Sequence, residues 1–231
     1  MVDHASHGGC LSAPEGTPDE QAAAIEAGRL LFAQACTFMR GVQTLKDLPP
    51  ANLPEIAFAG RSNVGKSSLV NALTGRLTLA RASHTPGRTQ QLNFFDLGNR
   101  LVLVDLPGYG YAEAPKDVIR KWTDLLVAFL RGRAVLRRTL LLIDARHGIK
   151  DSDRDMVKML NAAAQSFQVV LTKADKVKAG ELAERHQAIV LELAKHPAAH
   201  PDILITSSHE GLGIPELRAA LAALALPAVR T

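Results

Sequence analysis

The chain has 231 residues, 47% apolar and 22% charged, with a formal net charge of +4. That is enough apolar material for one folded domain with a sizeable core, and it excludes a disordered or fibrous chain. Two cysteines, Cys10 and Cys36, are too few for a disulfide framework and point to a reducing compartment, the cytoplasm.

Residues 1–25 hold Asp3, Glu15, Asp19 and Glu20 but no Lys or Arg, and are rich in Gly, Pro, Ser and His. They are expected to be a disordered acidic extension ahead of a single domain at 26–231. The whole chain being +4, that domain carries about +8. The extension lacks the basic start and apolar stretch of a secretory leader, and no run of about 18 apolar residues occurs anywhere. No membrane insertion is expected.

The apolar run Ile56-Ala57-Phe58-Ala59 reads as a buried strand, and Gly60-Arg61-Ser62-Asn63-Val64-Gly65-Lys66-Ser67 follows it as G-x-x-x-x-G-K-S. A helix-like stretch from Ser67 and Ser68 to Leu73 completes the strand–loop–helix context of a phosphate-binding loop. Gly60 and Gly65 let backbone N–H groups turn toward phosphates at a helix N-terminus. Lys66 would reach the β- and γ-phosphates, and the Ser67 hydroxyl is a hard oxygen ligand for Mg²⁺.

Thr85-Pro86-Gly87-Arg88-Thr89-Gln90 is rich in turn residues and has no apolar period. It reads as a loop carrying a threonine for Mg²⁺ and the γ-phosphate, and the residues alone leave Thr85 and Thr89 as alternatives. Strands at 92–97 and 101–104, joined by Gly98-Asn99, form an antiparallel hairpin. The second ends in Asp105-Leu106-Pro107-Gly108: Asp105 can hold Mg²⁺ through water, and the Gly108 N–H can approach a γ-phosphate. After a helix at 116–131, Arg131, Arg133, Arg137 and Arg138 make a basic cluster suited to a phosphate backbone.

A strand at 139–143 and a helix at 151–164 precede the strand Gln168-Val169-Val170-Leu171, which runs into Thr172-Lys173-Ala174-Asp175. The Asp175 carboxylate can accept side by side from guanine N1–H and its 2-amino group, a pair that adenine lacks, while the Lys173 stem lies along the ring. A helix at 181–196, a strand at 202–205 leading to Thr206-Ser207-Ser208, and a helix at 214–225 close the chain. The expected fold is α/β: a six-stranded, mostly parallel sheet with one antiparallel hairpin, helices on both faces, and nucleotide at the carboxyl ends of the strands.

Together G-R-S-N-V-G-K-S-S-L at 60–69, T-P-G-R-T-Q at 85–90, D-L-P-G-Y-G-Y-A at 105–112, T-K-A-D at 172–175 and T-S-S at 206–208 resemble the EngB (YihA/YsxC) family of bacterial ribosome-assembly GTPases, in the TRAFAC class. The resemblance covers roughly residues 28–226. It implies a Ras-like phosphate-loop fold, GTP and GDP as ligands with Mg²⁺, and Thr89 rather than Thr85 as the magnesium threonine. It places Gly87, Arg88, Thr89, Gln90 and Gln91 near the phosphates, the backbone of 206–208 over the guanine O6, and Lys66, Thr89 and Gly108 in catalysis. Asn63 matches a residue that in similar GTPases helps bind K⁺; the other reading is that it turns the loop. Tyr109 stands where Ras-like enzymes carry a water-orienting Gln, so intrinsic hydrolysis should be slow, no faster than about 10⁻⁴ to 10⁻³ per second.

The implied role is a cytoplasmic, monomeric switch in assembly of the large (50S) ribosomal subunit, tied to cell division and septation. Its partner would be ribosomal RNA of that subunit or its precursors, and not DNA. The alternative is a ribosomal RNA-binding scaffold whose nucleotide is mainly structural. A metabolite kinase is disfavoured by T-K-A-D and by the lack of a lid-arginine pattern.

Overall fold

The computed structural model describes residues 17–76, 91–110 and 116–228, with side chains from residue 120 in the last stretch. Seven strands form one sheet in the order β1-β3-β4-β2-β5-β6-β7. They are β1 (Cys36–Val42), β2 (Glu55–Gly60), β3 (Leu92–Leu97), β4 (Leu101–Asp105), β5 (Leu136–Asp144), β6 (Phe167–Thr172) and β7 (Leu204–Ile205). β3 pairs antiparallel with both β1 and β4, and the remaining pairings are parallel. The expected sheet of six strands is therefore one short. The missing strand, β1, lies at the sheet edge with four consecutive exposed positions, so it shows neither alternation nor an apolar run.

Among the described residues the α-helices are α1 (Pro18–Phe32), α2 (Lys66–Thr74), α3 (Lys116–Gly132), α4 (Asp151–Ala162), α5 (Ala179–Leu193) and α6 (Ile214–Ala222). Alternate residues of each strand point to opposite faces, so two cores result. Ala57, Val104, Leu141 and Val169 meet Leu126, Phe129, Met156, Leu160 and Ile189 on the side of α3, α4 and α5. Ile56, Phe58, Leu103, Leu140 and Val170 meet Leu31, Phe32, Leu69, Leu73, Leu217 and Leu221 on the side of α1, α2 and α6.

Helix α1 corrects the expected extension over residues 18–25, which are helical, while residues 1–16 of it lie outside the described residues. Thr17 and Glu20 form a capping box: the Thr17 N–H donates to Glu20 Oε2 at 2.7 Å, and Thr17 Oγ1 accepts from the Glu20 N–H at 3.4 Å. The acids Asp19 and Glu20 that suggested a solvated tail instead occupy the first turn, where the helix dipole favours them. Gly28 allows α1 to lie directly on α6; a Cβ there would stand 2.6 Å from the Ala219 nitrogen.

Position in the sheet decides where a ligand can sit. From the central β2 the chain goes first to β3 and β4 on one side, then to β5, β6 and β7 on the other. A crevice opens outside the carboxyl ends at such a reversal. At the opposite ends of the strands, Arg133 donates to both oxygens of the buried Glu55 at 2.9 and 2.5 Å and to the Pro49 carbonyl at 2.9 Å. With Glu55 1% and Arg133 8% exposed, neither charge can fall back on water. Arg133→Ala should destabilise the fold by about 3–5 kcal/mol in urea denaturation; a loss under about 1 kcal/mol would mean the pair is solvated.

Candidate functional site

β2 ends at Gly60, and the turn 61–65 delivers the chain into α2. Asn63 (φ 63°) and Gly65 (φ 102°) take left-handed backbone, which Asn tolerates better than most residues and Gly adopts freely. The reading of Asn63 as a residue that turns the loop fits this geometry. Lys66, the first residue of α2, is ion-paired with Asp105 at the end of β4, and both side chains are close to buried. The phosphate-loop lysine and the strand-end carboxylate so hold each other. Ser67 Oγ and the Asp105 carboxylate are the kind of oxygen that Mg²⁺ takes, and that ion retains most of its water shell, so two protein groups fit it.

Gly108 approaches the loop too closely for any side chain: a Cβ would lie 2.8 Å from Ser62 Oγ and 3.1 Å from the Ser62 nitrogen. The following residue, Tyr109, is buried rather than turned to the crevice, and its hydroxyl donates to Asp153 Oδ1 at 2.8 Å. Burial first, and then the Asp153 charge, push that phenol far above its ordinary pKa. It is not placed to orient water over the crevice.

The other end of the crevice comes from β5, β6 and β7. Thr172 Oγ1 donates to the Val64 carbonyl at 2.6 Å, and Lys173, in left-handed backbone at φ 58°, carries its ammonium to the Asn63 carbonyl at 2.6 Å. The same ammonium pairs with Asp144 Oδ2 at 2.9 Å. Asp175 Oδ1 accepts from the Ser207 hydroxyl at 2.7 Å, the chief reason its carboxyl lies below the usual value, and Lys176 stands 3.2 Å from Oδ2. Ser207 therefore orients Asp175.

Other expected site residues serve the frame. Leu106 and Ala174 are core, their N–H groups bonded to the Phe58 and Thr206 carbonyls. Thr206 is fully buried, with its hydroxyl donating to the Leu171 carbonyl. Gln91 turns away, its amide donating to Asn93 Oδ1 at 3.0 Å while its side chain lies against Gly41 of β1. Arg61, Ser62 and Val64 lie along the loop after β2, Pro107 along the loop after β4, and Ser68 on α2, while Ser208 follows Ser207. Gly87, Arg88, Thr89 and Gln90 lie outside the described residues. The basic cluster is half dismantled: Arg133 is spent on Glu55, and Arg138 is half-buried with Nη1 donating to Gln168, leaving Arg131 and Arg137 exposed.

Asp144 and Arg146 escaped the sequence reading. Arg146 donates through Nε and Nη2 to both oxygens of Asp144, at 2.9 and 2.8 Å. Burial alone would raise the Asp144 carboxyl, but the bonds from Arg146 and Lys173 outweigh it and hold the group well below the carboxylate range. The signal was present, since Asp144 ends an aliphatic strand just as Asp105 does. Its folded pKa lying below the unfolded ~3.9, Asp144 stabilises at neutral pH, and that contribution is lost as pH falls through the unfolded value toward the folded one. Asp144→Asn should melt below wild type at pH 7, with the gap narrowing toward about pH 3 in circular dichroism; a constant gap would overturn this.

Residues 55–173 match the family described as "50S ribosome-binding GTPase". A protein of Rhodospirillum rubrum described as "Probable GTP-binding protein EngB" is 62% identical, covering 90% of this chain and 93% of its own length. One of Granulibacter bethesdensis, with the same description, is 59% identical over 91% of this chain and 93% of its own length. Among solved structures, that of a probable GTP-binding protein engB aligns with a TM-score of 0.59 and 26% identity, covering 74% of this chain and 97% of that one. Era in complex with MgGDPNP and a fragment of 16S ribosomal RNA shares the fold, with a TM-score of 0.57 and 22% identity over 78% of this chain and 59% of its own. With one carboxylate beside the phosphate-loop lysine and another beside Ser207, the chain belongs to the EngB family and is a GTPase of the ribosome-binding type.

Proposed function

We propose that this GTPase binds GTP and GDP with Mg²⁺ along the crevice and acts as a switch in assembly of the large (50S) ribosomal subunit. The observation that carries the nucleotide half is the convergence of Lys66 and Asp105 at one end with Asp175 at the other, on loops tied together by Lys173. The backbone of 60–68 cradles the phosphates and Lys66 leaves Asp105 for the β- and γ-oxygens. Ser67 holds Mg²⁺ directly, Asp105 through water and Thr89 from its loop; bound Mg²⁺ supplies neutralisation of phosphate charge. The Gly108 N–H reads the third phosphate. Asp175 accepts from guanine N1–H and the 2-amino group. Thr206 and Ser207 spend their N–H groups on the Leu171 and Leu212 carbonyls, so the N–H offered to guanine O6 is that of Ser208.

With Tyr109 unable to orient water, hydrolysis is slow without help from the ribosomal particle. Asn63, exposed at the rim of the loop, is the residue through which K⁺ would act. In this reading the GTP form joins large-subunit precursors by contacts to ribosomal RNA, and hydrolysis releases it. The protein works as a cytoplasmic monomer, and failed division follows failed ribosome production. Support comes from the family's ribosome-binding description and from Era, a neighbour in fold whose structure holds ribosomal RNA.

Asp175→Asn should shift preference from GTP to xanthosine triphosphate, whose C2 carbonyl accepts a bond where the guanine amino group donates one. Retained GTP preference by calorimetry would remove Asp175 from base recognition. Co-sedimentation with 50S precursors should occur with a non-hydrolysable GTP analogue and not with GDP, and GTP turnover with those particles should be faster in K⁺ than in Na⁺. Binding indifferent to nucleotide would favour the RNA scaffold, and equal rates in the two salts would remove the role of Asn63.

A further inference from the structure

Asp153 lies on α4, outside every motif of the crevice, yet it is 1% exposed and fully engaged. Its Oδ2 accepts the Lys150 N–H at 2.9 Å at the start of α4, and its Oδ1 accepts the buried Tyr109 hydroxyl at 2.8 Å. A bond from a neutral phenol to a buried carboxylate is among the stronger kinds in a protein. Tyr109 is also stitched to the phosphate loop through its backbone. Its N–H donates to the Gly60 carbonyl at 3.3 Å, its carbonyl accepts from the Ser62 N–H at 3.1 Å, and it forms a parallel bridge with Arg61. Gly108, one residue earlier, is packed against Ser62 so closely that a Cβ would overlap it. One residue later, Gly110 takes left-handed backbone at φ 85°.

We propose that Asp153 is a positioning residue for discrimination between GTP and GDP: by holding the Tyr109 hydroxyl, it fixes the Gly108 peptide against the phosphate loop, where its N–H meets a third phosphate. The ring acts as a peg and the carboxylate as its socket, so Gly108 is set before nucleotide arrives. The bond ends 44 residues along the chain, so the conformation of the β5–α4 turn and the readout of the phosphate share one carboxylate. This inference rests on Gly108 reading the third phosphate and is independent of any ribosomal role.

The test compares GDP with a non-hydrolysable GTP analogue, both with Mg²⁺, by calorimetry on the full chain. Tyr109→Phe keeps the ring and loses the hydroxyl; Asp153→Asn keeps the shape and loses the charge. Each should weaken the triphosphate analogue by about tenfold while GDP stays within about twofold. The double variant should be no weaker than the worse single, because both remove one bond. Gly108→Ala serves as the control and should lose the triphosphate preference outright. If Gly108→Ala spares the preference, the reading of Gly108 falls and this inference with it. If Gly108→Ala abolishes it but the other two variants only lower the melting temperature, or weaken both nucleotides equally, Asp153 is a structural residue and the proposal is overturned.

Discussion

The carbonyl oxygens of Asn63 and Val64 are the points on which the site turns. A loop that aims its N–H groups outward must aim carbonyls elsewhere, and two of these are captured by Lys173 and Thr172, more than a hundred residues further on. The loop after β2 and the turn after β6 are thereby tied to each other. Left-handed backbone at Asn63 and Lys173 brings donor and acceptor together, a conformation that persists where the surroundings over-determine it. Asp144 adds the electrostatic half: it balances the Lys173 ammonium and is itself held ionised by Arg146.

Charge is arranged differently at the two ends of the sheet. At the amino ends, Glu55 and Arg133 close on each other with little exposure and no route for a ligand. At the carboxyl ends, Lys66 and Asp105 also pair, but in a crevice where phosphate and cation can replace each partner. The first pair is architecture; the second joins the phosphate loop to the end of β4. The same contrast explains why the density of arginines between 131 and 138 misled. A cluster in sequence becomes a cluster in space only when the side chains share a face. In a strand they alternate, so Arg137 emerges while Arg138 folds back toward Gln168.

The phosphate loop, the hairpin, the strand-end carboxylate Asp105 and T-K-A-D were legible because each rests on local rules: a glycine at a forced turn, an aliphatic run, a charge where a buried strand meets water. Helix α1 was partly legible in hindsight, since T-P-D-E is a capping box with proline in the first turn, but its composition argued for a tail. Its stability comes from Leu31 and Phe32 buried under α6, contacts no window of sequence displays. β1 was illegible for the converse reason. An edge strand with two solvated faces carries no apolar period, and only its ladder to β3 makes it a strand.

The chain by itself determined the family and the mostly parallel sheet, and it named the loop proposed to cradle phosphate and the carboxylate proposed to select the base. These follow from residue types at fixed spacings, where backbone reach is short and side-chain roles are few. The tertiary structure alone decided which charges are spent inward, that Tyr109 faces Asp153 rather than the crevice, and that Ser207 orients Asp175. Each of those outcomes depends on what a distant segment places opposite a side chain. Burial and partner choice are properties of the packed whole, because desolvation makes a polar group's environment, and not its neighbours in sequence, set its energy.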